Sequence, residues 1–410
     1  MPIDPPRRRS QQSLSNVEPP RPLGPDVRRA LRDRLLAALG SIPEPADGIL
    51  LLDHANVVWA SGFDHSASER PVGLYLSVDA DPVLYVPYLE IDHARDVDGV
   101  DVEAYEEFPG HRHPVRWMFD RIADRSPRSR RYAIDALDTR VHAALRDDGR
   151  HVFATDVVAA VRAVKEPAEL ALVRSAASFA DRCLHWILEH GGATVAAGGS
   201  ELDILQGGVN AARRAMNDAL GAAFPATQLH VVGTVHTGPR AALPHGRTGQ
   251  RAPTAGEVLI AGIGAKVGGY HAESGATFVL GTANDDQARC LAAADSSRLA
   301  AIDAVAPGAS CQSVHDAAMA VLTSAGFEPY LRHRIGHGMG VEGHEAPWLA
   351  PGDDTPIGAG MVFSNEPGIY RPGVDGYRTI DSMIVHDDGV ELPSRFQSTV
   401  PWDHRVLPLD

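Results

Sequence analysis

From Val27 to Gly40 apolar and polar residues alternate with helical spacing, which predicts an amphipathic helix. Short apolar runs bounded by turn residues follow. Gly48-Ile-Leu-Leu-Leu, Val57-Val-Trp, Gly73-Leu-Tyr-Leu-Ser-Val and Pro82-Val-Leu-Tyr-Val-Pro read as strands of a mixed sheet. Helical segments and a further strand, Arg131-Tyr-Ala-Ile-Asp, complete an alternation that predicts an α/β domain. Thr155 to Val164 reads as helical, and Lys165-Glu166-Pro167 then interrupts the pattern. Pro167 suits the first turn of a new helix, expected from about Ala168 to Glu189 and ending before Gly191-Gly192. Another helix is expected over Glu201 to Leu220, and two more after Asp285 and Ser313. Between them lie apolar strands at Glu257-Val-Leu-Ile-Ala-Gly, Ala276-Thr-Phe-Val-Leu and Met361-Val-Phe-Ser. The second half therefore reads as α+β, with two helix pairs wrapped on a curved antiparallel sheet. The organisation expected is a tail over residues 1–24, an N-terminal domain over 25–160 and a larger domain over 161–410.

A chain of 410 residues exceeds what one core usually holds, which agrees with two domains. The first residues are rich in Pro, Arg, Ser and Gln and cannot bury enough apolar surface to order, so disorder is expected there. Pro6-Arg7-Arg8-Arg9 is followed by polar residues Ser10 to Asn16 instead of an apolar region, which does not read as an export signal. A net charge of −15 without a long basic run argues against a nucleic-acid or anionic-membrane partner. Cys183, Cys290 and Cys311 are odd in number and far apart, which fits reduced thiols and a cytoplasmic location. No apolar run is long enough to span a bilayer.

Among nineteen histidines, His245 is the strongest acid/base candidate, because Pro244 and Gly246 would hold it on a turn. His337 lies in a glycine-rich stretch that permits close backbone approach, and His344 precedes a glutamate. The glycine runs around Gly262 and Gly336 lack the strand–loop–helix setting of a phosphate loop, so nucleotide binding is discounted.

Five motifs occur in order: Leu243-Pro-His245-Gly, Gly269-Tyr-His-Ala-Glu273-x3-Thr277-Phe, Ile335-Gly-His337-Gly-Met-Gly-x3-His344-Glu, Gly360-Met-Val-Phe-Ser-Asn-Glu366-Pro-Gly-Ile-Tyr370 and Gly376-Tyr-Arg378-x2-Asp381. Over about residues 160 to 390 the chain resembles the pita-bread family of methionine aminopeptidase, aminopeptidase P, prolidase and creatinase. The resemblance implies a creatinase-type α/β N-terminal domain and a pita-bread C-terminal domain. The family's metallopeptidases use Asp, Asp, His, Glu and Glu as ligands of two metals. Those positions map here to Gly262, Glu273, His337, Glu366 and Ile380, and Gly262 and Ile380 offer no ligand. In this respect the chain resembles creatinase and ectoine hydrolase, which implies a pocket without metal and without any other cofactor. Arg70-Pro-Val-Gly-Leu74 is similar to the creatinase segment whose Arg contacts the substrate carboxylate.

A carboxylate pair left buried without metal must protonate or take in a cation. Glu273 and Glu366 would thus suit a guanidinium or amidinium, whose planar N–H donors match carboxylates. A neutral amide bound by one protonated glutamate stays open. The expectation is a metal-independent hydrolase of a non-peptide C–N bond in a small cationic substrate that bears a carboxylate. In it His245 activates water, Glu273 and Glu366 hold the cationic group, and His337 and His344 position the water or a substrate oxygen. Arg70 anchors the carboxylate, with Phe63, Tyr270 and Arg378 as further substrate contacts. Arg378 and Asp381 also suit a structural ion pair, and Tyr270 and Tyr370 suit core positions. The rivals are a metallopeptidase with one residual metal on Glu273, His337 and Glu366, a lyase on the same pocket, and a catalytically silent binding protein. A homodimer is expected, with Arg70 reaching the partner's pocket.

Overall fold

The computed structural model describes residues 20–43, 45–126 and 131–409. The disorder expected for the first 24 residues falls, up to residue 19, outside the described residues. The described chain divides into two compact units, Leu23–Arg162 and a larger one that begins at Ala163.

The N-terminal unit contains α1 (Pro25–Gly40), β1 (Gly48–Leu51), α2 (His54–Ser61), β2 (Gly73–Ser77), β3 (Val83–Pro87), α3 (Ile91–Ala94), β4 (Asp101–Tyr105), α4 (Pro114–Arg125), β5 (Arg131–Ile134), α5 (Thr139–Asp147), β6 (His151–Ala154) and α6 (Val157–Ala163), whose last residue crosses the boundary. The six strands form one mixed sheet in the order β4-β3-β2-β1-β5-β6. Its core gathers Leu50, Tyr75, Tyr85, Met118, Phe119 and Ile134. Val57-Val-Trp, expected as a strand, is the middle of α2. The Asp53 side chain accepts from the Asn56 N–H and caps the helix, and Gly62 at φ +84° ends it. Three apolar residues alone cannot distinguish a short buried helix from a strand.

The larger unit begins with α7 (Pro167–Ala196), opened by Pro167 and by a capping box between Glu166 and Glu169. This helix runs through Gly191-Gly192 instead of ending before them. A Cβ at Gly192 would lie 1.9 Å from the Pro408 carbonyl oxygen, so the glycine admits the C-terminal chain against the helix. The unit continues with α8 (Glu201–Leu220), β7 (Leu229–Thr237), β8 (Val258–Val267), β9 (Tyr270–Leu280), α9 (Asp285–Ala304), α10 (Cys311–Ser324), β10 (Gly336–Gly338), β11 (Glu345–Leu349), β12 (Val362–Asn365), β13 (Gly368–Arg371), β14 (Asp375–Arg378), β15 (Asp381–His386), β16 (Gly389–Glu391), α11 (Phe396–Thr399) and β17 (Val406–Leu407). One sheet has the order β17-β9-β8-β7, a second β11-β10-β12-β15-β16, and β13 pairs with β14. The backbones of Gly275 and Ile380 exchange two hydrogen bonds, at 3.1 and 2.8 Å, and stitch the sheets into one curved surface. The pairs α7–α8 and α9–α10 pack outside it. Cys183, Cys290 and Cys311 are buried free thiols.

Lys165 precedes α7 and is 5% exposed. Its Nζ donates to Glu345 Oε1 at 2.7 Å and to the Ala163 carbonyl at 3.2 Å. Lys165→Ala would leave a buried carboxylate without its ammonium, a loss on the order of 3–5 kcal/mol. A denaturant midpoint that does not move would show that the pair contributes nothing.

Candidate functional site

The concave face of the larger unit gathers residues from four separate segments. Glu273 stands on β9 and is fixed at its backbone by Ser382, whose hydroxyl accepts from the Glu273 N–H at 2.9 Å and donates to its carbonyl at 2.8 Å. His337 stands on β10, which comes so close to β12 that a Cβ at Gly336 would meet the Ser364 carbonyl oxygen at 2.0 Å. The glycine-rich stretch thus permits the backbone approach that sets His337 beside Glu366, the residue following β12. His344 lies on the loop between β10 and β11, and its ring stacks on His337 with centroids 3.8 Å apart.

His337 is 1% exposed and its Nδ1 lies 3.0 Å from the Gly338 carbonyl oxygen. A carbonyl can only accept, so Nδ1 carries a proton and Nε2 is the nitrogen turned to the carboxylates. Nε2 lies 3.2 Å from Glu366 Oε1 and 3.8 Å from Glu273 Oε2, and against the effect of burial these two carboxylates push the imidazole above its ordinary pKa. His344 Nε2 is 4.0 Å from Glu273 Oε1. One ligand atom each from Glu273, His337 and His344 lies within 4.8 Å of the others. Burial, and then the charge of Glu366, pushes the Glu273 carboxyl above its ordinary range. Burial works the same way on Glu366, but His337 and Arg378 outweigh it and hold that carboxyl well below the usual value. Burial, with His337 beside it, pushes His344 down to about 4.

His245 is exposed on the turn after β7, where its charge acts on His333 and His344. Arg378 is 7% exposed and donates from Nη1 to the Pro244 carbonyl at 3.0 Å, which ties the His245 turn to β14. Arg378 does not pair with Asp381, as the sequence suggested. Asp381 receives Arg298 Nη1 from α9 at 2.7 Å. Tyr270, expected at the substrate, is buried, and its hydroxyl donates to Glu169 Oε1 at 2.6 Å, so it ties β9 to α7. Tyr370 is also buried, and its hydroxyl meets His333 Nε2 at 2.8 Å. In the N-terminal unit, Phe63 is buried against the rings of His65 and His93, at 5.0 and 4.8 Å. Arg70 is engaged by the carboxylates of Glu69 and Glu107. Sequence reasoning missed Ser364, whose hydroxyl donates to Glu273 Oε2 at 3.3 Å, along with Ser382 and His333. Ser364 lies inside the motif that contains Glu366, two residues before it, and that spacing was the available signal for it.

An incurved antiparallel sheet with paired helices outside and a histidine–carboxylate cluster within defines the pita-bread class. The chain belongs to Metallopeptidase family M24, which matches residues 171–387, and a Creatinase/Prolidase N-terminal domain matches residues 32–197. It is 36% identical over 239 residues to a "Probable dipeptidase PepE" of Mycobacterium bovis, a match spanning 58% of this chain and 60% of that relative. It is 29% identical over 342 residues to an Xaa-Pro dipeptidase of Lactobacillus delbrueckii subsp. lactis, covering 80% and 87% of the two chains. The crystal structure of dipeptidase PepE from Mycobacterium ulcerans superposes with a TM-score of 0.76 at 27% identity, covering 93% and 99%.

These findings overturn the expected non-peptide C–N hydrolase and its metal-independent, creatinase-like character. The matching family is one of metallopeptidases, and the relatives carry dipeptidase names. Gly262 and Ile380 weighed too heavily in the sequence reading, because Glu273, His337 and Glu366 still carry ligand-type side chains. The residues fit one metal ion: Glu273, His337 and His344 offer ligand atoms within 4.8 Å of one another, and Glu366 lies 3.2 Å from His337. They do not fit a pair. Gly262 has no side chain, and Ile380 is a buried hydrocarbon. Among the described residues no helix is long and apolar enough to cross a membrane.

Proposed function

We propose that the chain is a dipeptidase of the Xaa-Pro type with a single metal held by Glu273, His337 and Glu366, and with His344 at its open side. The observation that carries this reading is His337 Nε2, buried and facing the carboxylates of Glu366 and Glu273 at 3.2 and 3.8 Å. The carboxylates draw a positive charge to this nitrogen, a proton when no metal is bound, and a metal ion would take that proton's place. When bound, such an ion polarises the scissile carbonyl and favours attack by water.

The chain's own groups supply the rest. The Gly338 carbonyl fixes the His337 tautomer, and Ser364 and Ser382 hold Glu273 in place, the kind of outer support that orients a ligand set. Glu273 would also accept a proton from the attacking water. His245, exposed on a turn tethered by Arg378, returns a proton to the leaving nitrogen.

Protein stripped with chelator should not cleave Xaa-Pro dipeptides, and stoichiometric Mn²⁺, Co²⁺ or Zn²⁺ should restore cleavage, read as release of free proline. Full activity in the stripped protein, or none with any of the three ions, would sink the proposal. We further propose a homodimer in solution, as the sequence reading expects. Sedimentation at micromolar concentration should give twice the chain mass of 43.7 kDa, and a monomer refutes it.

A further inference from the structure

We propose that Arg378 is a built-in cation that takes the volume and the charge of a second metal, so that this site is restricted to one ion. The inference rests on the one-metal peptidase reading above and adds why the second position is closed.

The volume comes first. Gly262 and Gly275 are paired across β8 and β9, and neither carries a side chain into the space between the strands and residue 380. Two other side chains fill that space. A Cβ at Gly262 would lie 2.6 Å from Arg378 Nη2 and 3.5 Å from Ile380 Cδ1. A Cβ at Gly275 would lie 2.6 Å from Ile380 Cδ1. The guanidinium therefore stands where the first ligand side chain of a metal pair would begin. Ile380, 4% exposed, puts hydrocarbon where the last would be. Both residues are anchored where their side chains enter this space. Arg378 is tied to the Pro244 carbonyl, and the Ile380 backbone is bonded on both sides to Gly275.

The charge points the same way. Glu273 and Glu366 bring two negative charges, and Asp381 is neutralised by Arg298. Arg378 is buried, and both glutamates act on it electrostatically. With Arg378 and one divalent ion the cluster carries a single positive charge, which a hydroxide or a substrate carboxylate neutralises. A second divalent ion would add two more positive charges without any new ligand, which is prohibitive in a pocket shielded from water. Arg378 Nε is buried without a hydrogen-bond partner, whereas Nη1 bonds the Pro244 carbonyl. Charge and shape are what the position selects.

The test is Mn²⁺ titrated calorimetrically into chelator-stripped protein, with elemental analysis of the product. Wild-type protein should bind one ion per chain. Arg378→Met keeps much of the volume and removes the charge, so it should bind Mn²⁺ at least about tenfold more tightly. Arg378→Lys retains the charge and should stay within about threefold of wild type. Thermal melting of both variants checks that they fold. Two ions per chain in the wild type would overturn the inference and leave the peptidase reading intact. No bound ion in the wild type would overturn both. Affinity unchanged or weakened in Arg378→Met, with wild-type melting, would show that the arginine only braces the Pro244 turn.

Discussion

His337→Ala is expected to strip the protein of its metal and to lower Xaa-Pro dipeptide turnover on the order of a thousandfold, the scale at which one group that stabilises developing charge acts. His337 contributes a buried ring nitrogen that faces both carboxylates. Removing it leaves Glu273 and Glu366 side by side, and one of them takes a proton in place of the ion. The fold should survive. His337 sits in a three-residue strand whose pairing with β11 and β12 is made by backbone groups. Metal content by elemental analysis and melting temperature separate the two effects. A variant that keeps both its ion and its turnover removes His337 from the ligand set. A variant that loses turnover only because it unfolds would show a collapsed melting curve.

The sequence was most readable where a local rule governs. The segments that became β8, β9 and α8 carried their own periodicity, and α7 carried its own start signal in Pro167. It was least readable where a distant segment decides. Gly191-Gly192 looks like a helix stop, yet the glycines make room for a chain that arrives some 200 residues later, and the helix continues through them. Val57 to Trp59 looks like a strand, and one capping aspartate turns it into a helix. In the site, Glu273, His337, His344 and Glu366 were legible because their motifs keep a fixed order. Arg298 was not. It lies on α9, 83 residues from Asp381, and nothing near either residue in sequence announces the pair. The same limit misdirected the functional reading. Two missing ligands were visible in the sequence, whereas the Arg378 guanidinium filling the vacant space was visible only in three dimensions.

The second large effect is expected at His245. His245→Ala should lower kcat by at least about a hundredfold, the usual range for losing a general acid or base, with little change in metal content. The residue is exposed on a turn, so its replacement leaves no cavity and no buried unpaired group. That makes it a cleaner probe than any ligand. The turn is held from below, since Arg378 bonds the Pro244 carbonyl and His236 Nε2 bonds the Gly246 carbonyl. Both bonds involve backbone oxygens and persist in the variant. A loss confined to KM would mean that His245 binds substrate uniformly instead of moving a proton. A peptide analogue with a better leaving group discriminates further. Protonation of the leaving nitrogen matters less for such a substrate, so the deficit should shrink with it. A variant with wild-type kcat on the ordinary dipeptide would remove His245 from the mechanism and leave the proton to His344, the other imidazole at the open side of the cluster.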